Sequence, residues 1–134
     1  MATQAKGTFE VKVTPLAQEE NVGDPTVGRL SLDKQFHGDL EAGSKGQMLA
    51  VGSGAPGASA GYVAMERVIG TLHGKRGTFA LQHSGTMAQG SSQMTIAVVP
   101  GSGTDQLTGI SGKLAVTVTG GKHFYEFEYS FAGI

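Results

Sequence analysis

Apolar and polar residues alternate one for one along much of this chain, which is the pattern of β-strands with one buried face. Short runs rich in glycine, proline and asparagine interrupt the alternation and indicate turns. No stretch shows the 3.6-residue period of an amphipathic helix. The pattern predicts strands within residues 7–13, 29–37, 47–52, 62–87, 93–99 and 113–129.

Residues 62–87 are predicted to form a hairpin with a tight turn at the sequence GKRG, residues 74–77. This register places Glu66 opposite Gly85. Because side chains alternate between the two faces of a strand, the mostly apolar face is expected to line the core. That face carries Tyr62, Ala64, Glu66, Val68, Leu72, Phe79, Leu81, His83 and Met87. Two titratable side chains, Glu66 and His83, are therefore expected to point into the interior.

The last hairpin is predicted to turn at the glycine pair 120–121, with Thr119 opposite Lys122. This register places Lys113 opposite Glu128 on the outer face. The inward face then carries Leu114, Val116, Val118, His123, Tyr125, Phe127 and Tyr129. Both strands of the hairpin agree on which face is apolar, which supports the register.

Lys34 shares a strand face with leucine and phenylalanine residues, so it is predicted to point inward. The alternative is a lysine near the barrel rim whose amine reaches water. In the strand 93–99, the face interpreted as inward carries Met94, Ile96 and Val98. Residues 38–46 are interpreted as a connection. Residues 53–61 are interpreted as a mobile loop, either a lid over a pocket or an idle hairpin connection.

These elements predict an all-β protein: a single closed antiparallel barrel of about eight strands in meander order. A two-sheet sandwich is the alternative. The 134 residues suit one domain spanning 1–134, in which residues 1–6 are expected to form a flexible end. A barrel of eight strands is wide enough either to fill with side chains or to hold one small ligand.

Composition narrows the classes of function. A net charge of −1 gives no basic field for nucleic acid, and no apolar run is long enough to span a bilayer. The absence of cysteine removes disulfides and thiolate chemistry. We therefore expect a cytoplasmic protein that needs no cofactor and contacts neither nucleic acid nor membrane. Exposed apolar residues such as Met65, Ile69 and Phe124 offer a contact for a homo-oligomer.

Several motifs resemble the DUF3224 family of uncharacterised bacterial proteins. They are KQFHGDL (34–40), GYVAMERV (61–68), GTL (70–72), GTFALQH (77–83), VVPGSGT (98–104) and KHFYEFEY (122–129). The resemblance covers most of the chain from about Arg29. It implies an eight-stranded barrel similar to that of allene oxide cyclase. It implies no function, and no catalytic residue is carried over from the cyclase.

Glu66 and His83 are the candidate catalytic residues. Burial disfavours an ionised carboxylate, so an unpaired Glu66 would be protonated, whereas a Glu66–His83 pair could share a proton. The alternative is a structural polar network inside the barrel. A metal held by Glu66, His83 and His123 is a weaker interpretation, because no local spacing supports it, and we predict no metal site. The candidate ligand-binding residues are Lys34, Tyr62, Phe79, Leu81, His123, Tyr125, Phe127 and Tyr129.

The favoured hypothesis is a barrel that binds a small apolar or amphipathic molecule in its interior. A second hypothesis is a cofactor-independent isomerase or cyclase that uses Glu66 as base and His83 as its partner or acid. A third is a structural or self-associating protein.

Overall fold

Eight antiparallel strands pair in chain order and close into a barrel, as the alternation predicted. The structure is a computed structural model that describes residues 2–53, 55, 58–89 and 91–132. Its strands are β1 (Thr3–Pro15), β2 (Gly28–Gly38), β3 (Leu40–Gly52), β4 (Ala60–Leu72), β5 (Lys75–Ala88), β6 (Ser91–Val98), β7 (Ile110–Thr119) and β8 (Lys122–Phe131). One 3-10 turn (Asp105–Leu107) lies between β6 and β7.

Two strands are longer than the alternation indicated. β1 begins at Thr3, inside the segment expected to be a flexible end, and it pairs with β8 from there. β3 begins at Leu40, so most of the connection predicted for 38–46 is strand. The inward positions of this part of β3 are Ala42, Ser44 and Gly46, whose small side chains give almost no hydrophobic signal. The loop 53–61 has residues 54, 56 and 57 outside the described residues, so its role as a lid stays a prediction.

The turn of the β4–β5 hairpin is His73-Gly74, not Lys75-Arg76. Its backbone φ angles are 47° and 79°, the two positive values that a type I′ turn requires. Glu66 therefore pairs with Leu81 instead of Gly85. The predicted register is wrong by four positions along β5, and because four is even, every predicted side chain keeps its face.

The β7–β8 hairpin has the predicted register. Thr119 pairs with Lys122 across the glycine pair 120–121, and Lys113 pairs with Glu128. Leu114 and the aromatic residues of the inward face of β8 are buried. Val118, on the same face, is 58% exposed because it lies at the open end of the barrel.

One end of the barrel is closed by packed side chains. The largest fully buried ones are Tyr125, Phe36, Phe79, Phe127, Leu40, Leu72, Leu81, Leu107 and Val68. The hydroxyl of Tyr125 lies 2.9 Å from the carbonyl oxygen of His37, to which it donates, and accepts from the backbone N–H of Leu40 at 2.9 Å. These bonds tie the β2–β3 connection to β8.

The opposite end, which we call the mouth, is open. Val13, Met87, Met94 and Val118 occupy inward positions of their strands, yet each is between 44% and 58% exposed. Within the described residues, β6 and β7 share a single ladder pair, Ala97–Lys113. Large apolar side chains on the inward face that still meet water define the rim of an accessible interior.

Candidate functional site

The carboxylate of Glu66 is the centre of a buried polar cluster. Glu66 is 2% exposed. The Nζ atom of Lys34 donates to its Oε2 at 2.7 Å, and the Oγ atom of Ser44 donates to its Oε1 at 2.5 Å. The Nε2 atom of His83 also contacts Oε2. Both carboxylate oxygens therefore have partners, and we call these four residues the Glu66 cluster.

Four adjacent strands bring the cluster together. Lys34 of β2 pairs with Ser44 of β3, while Glu66 of β4 lies opposite Gly46. A Cβ atom at Gly46 would lie 2.8 Å from the Cβ of Glu66 and would also meet the β4 backbone, so glycine allows β3 to approach β4 closely here. His83 lies one inward position beyond Leu81, the partner of Glu66, so the two titratable residues meet diagonally, as expected.

The pairing keeps Glu66 ionised. Burial acts to raise the pKa of Glu66, but the contact with His83, the charge and hydrogen bond of Lys34 and the hydrogen bond of Ser44 together outweigh it and lower the pKa from 4.5 to about 2. Lys34 is 8% exposed, and its amine lies 5.2 Å from the ring centroid of Phe9. The alternative of a lysine at the rim that reaches water is therefore wrong.

One nitrogen of the His83 imidazole, Nε2, is fully buried. It forms no well-aligned hydrogen bond with the described residues. Its polar contact is with the carboxylate of Glu66. An ionised oxygen at that distance is favourable only if Nε2 carries a proton. We therefore assign the neutral ring the tautomer in which Nδ1 is the unprotonated nitrogen.

Tyr62 lies between the Glu66 cluster and the mouth. Its ring centroid is 6.4 Å from that of His83. The ring lies against β5 at Gly85, where a Cβ atom would come within 2.4 Å of its Cε1. Burial, and secondarily the charge of Glu66, raises the pKa of Tyr62, so the phenol stays protonated. Tyr62 thus covers the buried charges with an aromatic ring.

Above Tyr62 is an apolar cavity of about 270 Å³, which we call the mouth cavity. It is lined by Met48, Ala50, Ala60, Gly61, Tyr62, Gly85, Thr86, Met87, Ser92, Gln93 and Met94. Neither Glu66 nor His83 is among the lining residues. The interior is therefore divided along the barrel axis into a packed core, a charged layer and an apolar cavity open to water.

The structure separates the predicted ligand-binding residues. Only Tyr62 lines the mouth cavity, and Lys34 belongs to the Glu66 cluster. His123 packs against Phe9, with ring centroids 5.0 Å apart. The other five predicted positions are fully packed in the core: Phe79, Leu81, Tyr125, Phe127 and Tyr129. Their side chains pack on one another and border no part of the mouth cavity, and contact between these five residues and a ligand stays a prediction.

The described part of the chain brings no three histidine, aspartate or glutamate side chains together as a metal site. Glu66 and His83 meet, but His123 packs against Phe9 instead of joining them. Within the same described residues, no helix is long and apolar enough to cross a membrane.

Sequence reasoning missed Ser44 and Met48. Both lie on β3: Ser44 falls in the segment interpreted as a connection, and Met48 falls in the predicted strand 47–52, whose inward face was not assigned. The inward direction of Met87 and Met94 was predicted, but their place at the mouth was not. Three methionines on inward faces near strand ends were the available signal, since methionine is common at adaptable binding surfaces.

The fold and the site together define a closed eight-stranded barrel that carries a buried charge cluster beneath an open apolar cavity. Comparison with known proteins gives the family. Residues 5–129 match the model of "Protein of unknown function (DUF3224)", and the chain belongs to this family. The resemblance found in the sequence motifs is therefore confirmed.

A solved structure supports the same assignment. The crystal structure of a DUF3224 protein of unknown function from Shewanella oneidensis MR-1 is similar, with a TM-score of 0.87 and 44% sequence identity. The match covers 99% of this chain and 100% of that one. No protein with a curated description matched the chain. The predicted likeness to allene oxide cyclase stays a prediction.

Proposed function

We propose that the protein binds a small apolar or amphipathic molecule in the mouth cavity. The observation that carries this proposal is an apolar space of about 270 Å³, lined by Met48, Met87, Met94 and Tyr62 and open at one end of an otherwise packed barrel. Concave, mostly apolar sites with a few polar groups are the usual form of small-molecule sites.

The lining favours a compact ligand of variable shape. The cavity volume equals that of about nine water molecules in the liquid, which suits one aromatic ring system or a short alkyl chain. Methionine side chains adapt to different apolar surfaces. Ser92 lies at the edge of the cavity, where its hydroxyl would bond a polar group of the ligand that faces water.

A neutral fluorescent probe, N-phenyl-1-naphthylamine, tests this proposal. We expect one saturable site per chain. Met94→Glu places a charge in the cavity wall and is expected to weaken binding at least about tenfold. Met65→Glu is the matched control, because Met65 has the same 52% exposure but lies on the outer face of β4. A wild-type protein that does not bind, or equal weakening in both variants, would refute the proposal.

The Glu66–His83 contact favours an acid–base enzyme as the second candidate. Glu66 uses both oxygens in hydrogen bonds and has a lowered pKa, so it is a poor proton acceptor. In this candidate His83 takes the role of base through Nδ1, Glu66 is a positioning residue, and Tyr62 must swing away to admit the substrate. This arrangement of a carboxylate behind an imidazole recurs in acid–base sites.

Proton abstraction can be sought without a known substrate. Enolisable ketones incubated with the protein in deuterated water would lose their α-hydrogen NMR signals if His83 acts as a base. We expect His83→Gln to abolish such exchange and Glu66→Gln to shift its pH profile. Exchange that survives in His83→Gln would remove this candidate. The predictions of a cytoplasmic location, no cofactor, and no contact with nucleic acid or membrane stay predictions.

A further inference from the structure

The mouth cavity is lined by three of the five methionines of the chain, Met48, Met87 and Met94. Met87 is 44% exposed and Met94 is 52% exposed, although both occupy inward positions of their strands. The chain has no cysteine, so the methionine thioethers are its only sulfur atoms. Most of these sulfur atoms therefore belong to the wall of one apolar site.

The strand pairing leaves Met87 and Met94 open to solvent. Met94 of β6 lies opposite Gly85 of β5. Met87 of β5 lies between Ser92 of β6 and Ala60 of β4. Directly paired residues share one face of the sheet, so the cross-strand neighbours of both methionines are small. Small neighbours cover little of a methionine side chain, and a small oxidant dissolved in water can therefore reach both residues.

We propose, on the basis of the binding function above, that Met87 and Met94 form an oxidation site for peroxides and that their oxidation releases the ligand of the mouth cavity. The thioether sulfur attacks one oxygen of hydrogen peroxide, the O–O bond breaks, and an S–O bond forms. Methionine loses two electrons and becomes the sulfoxide, while the peroxide is reduced to water.

A sulfoxide makes the cavity wall polar where it was apolar. Its oxygen accepts hydrogen bonds from water while the cavity is empty, because both residues already meet solvent. An apolar ligand would displace that water without offering a donor in its place, which disfavours binding. We expect oxidation to weaken the binding of a neutral apolar ligand at least about tenfold. The fold is expected to remain, since neither methionine belongs to the packed core.

Met65 separates the oxidation from its consequence. It is 52% exposed, like Met94, but it lies on the outer face of β4 and borders no part of the mouth cavity. Peroxide is expected to oxidise Met65 without affecting the ligand. Met48 lines the cavity but is less exposed than Met87 and Met94, so it is expected to oxidise after them.

Mild hydrogen peroxide treatment of the full chain, at a dose that leaves Met48 unmodified, tests the proposal. Once the peroxide has been removed by desalting, peptide mass spectrometry locates the sulfoxides and N-phenyl-1-naphthylamine fluorescence measures binding. The oxidised wild type is expected to bind the probe at least about tenfold more weakly than the untreated protein, with an unchanged β-sheet circular dichroism spectrum. Methionine sulfoxide reductases, one for each sulfoxide epimer, are expected to restore binding.

Two variants assign the effect to the cavity. The double variant Met87→Leu, Met94→Leu keeps an apolar wall without sulfur at either position, and it is compared with its own untreated sample. Peroxide is expected to change its affinity by less than about twofold. Met65→Leu is the matched control, and it is expected to lose binding on oxidation as the wild type does.

Undiminished binding by protein that is oxidised at Met87 and Met94 would overturn this proposal and leave the binding function standing. An equal loss in the double leucine variant, a loss that accompanies unfolding, or a loss that the reductases do not reverse would overturn it too. So would a failure of both residues to oxidise at a dose that oxidises Met65. An untreated wild type that does not bind the probe would refute the binding function and the oxidation site together.

Discussion

The amine of Lys34 lies 2.7 Å from the carboxylate of Glu66 inside the barrel, where the two side chains are 8% and 0% exposed. Desolvation of two charges is costly, and the attraction offsets it only when the remaining hydrogen-bonding positions are filled. Ser44 donates a hydrogen bond to the second carboxylate oxygen, and the imidazole of His83 contacts the first. One carboxylate thereby links β2, β3, β4 and β5, just below the ring of Tyr62 that forms the floor of the mouth cavity.

Removing the amine should be strongly destabilising. Lys34→Met keeps an apolar stem of similar length but leaves the Glu66 carboxylate buried without its cation. We expect a loss of about 3–5 kcal/mol in the free energy of unfolding, measured by urea denaturation at pH 7. The control is Lys113→Met, because Lys113 is paired with Glu128 on the outer face and should cost less than about 1 kcal/mol. Similar losses in both variants would contradict a special role for the buried pair.

The loss of folding stability at low pH should depend on Glu66. Its pKa is about 2 in the folded protein and 4.5 in the unpaired state, so the unfolded chain takes up the proton first. The stability that the ionised carboxylate contributes is complete above pH 4.5 and is lost as the pH falls from 4.5 towards 2. The unfolding free energy of wild type minus that of Glu66→Gln should therefore shrink across this window by on the order of 3 kcal/mol. A difference that is constant with pH would show that Glu66 is not ionised in the folded state.

Glycine at position 76 should change the stability in opposite directions for the observed turn at His73-Gly74 and for a turn at Lys75-Arg76. In the observed register Arg76 is a strand residue, so Arg76→Gly should destabilise by about 0.5–1 kcal/mol. A turn centred on Lys75-Arg76 would need positive φ at Arg76, and glycine there would stabilise it. Gly74→Ala should also destabilise, because the φ of Gly74 is 79°. Thermal unfolding midpoints of both variants distinguish the registers.

The sequence predicted the strands, the meander and the face of each residue, because alternation has a period of two and survives an even register error. The sequence analysis placed the turn of the β4–β5 hairpin at the wrong residues. The sequence GKRG looked suitable, but a type I′ turn puts both central residues at positive φ, which Lys75 and Arg76 would adopt only with strain. His73-Gly74 places a glycine at one of these positions. The start of β3 failed for another reason, since Ala42 and Ser44 are too small to mark a buried face.

The sequence predicted which site residues point into the barrel, but not where they lie along the barrel axis. Alternation correctly sent Lys34, Glu66 and His83 inward, yet it says nothing about position along the barrel axis. That position decides whether an inward residue packs in the core, as Phe127 does, or borders the mouth cavity, as Met94 does. Long-range pairing between strands sets it, and hydrophobic pattern alone does not contain that information.

The floor of the mouth cavity should depend on Gly85. A Cβ atom there would come within 2.4 Å of the Tyr62 ring, so Gly85→Ala should displace the ring and cost about 1–3 kcal/mol. Gly61→Ala is the matched control, because the nearest atom to its Cβ would be 3.8 Å away. Near-ultraviolet circular dichroism, which reports the tyrosine environments, should change in the first variant only. Equal spectra for the two variants would contradict the position of the ring.

Methyl NMR of ¹³C-labelled methionine tests the binding site most directly. Met48, Met87 and Met94 line the mouth cavity, whereas Met65 lies on the outer face of the same sheet and is an internal reference. Titration with a small neutral apolar probe, such as dissolved xenon or toluene, is predicted to shift the three cavity methyl signals in a saturable manner and to leave Met65 unchanged. Cavity methyl signals that do not move, or that move no more than Met65, would contradict the proposal that the mouth of this barrel is a ligand site.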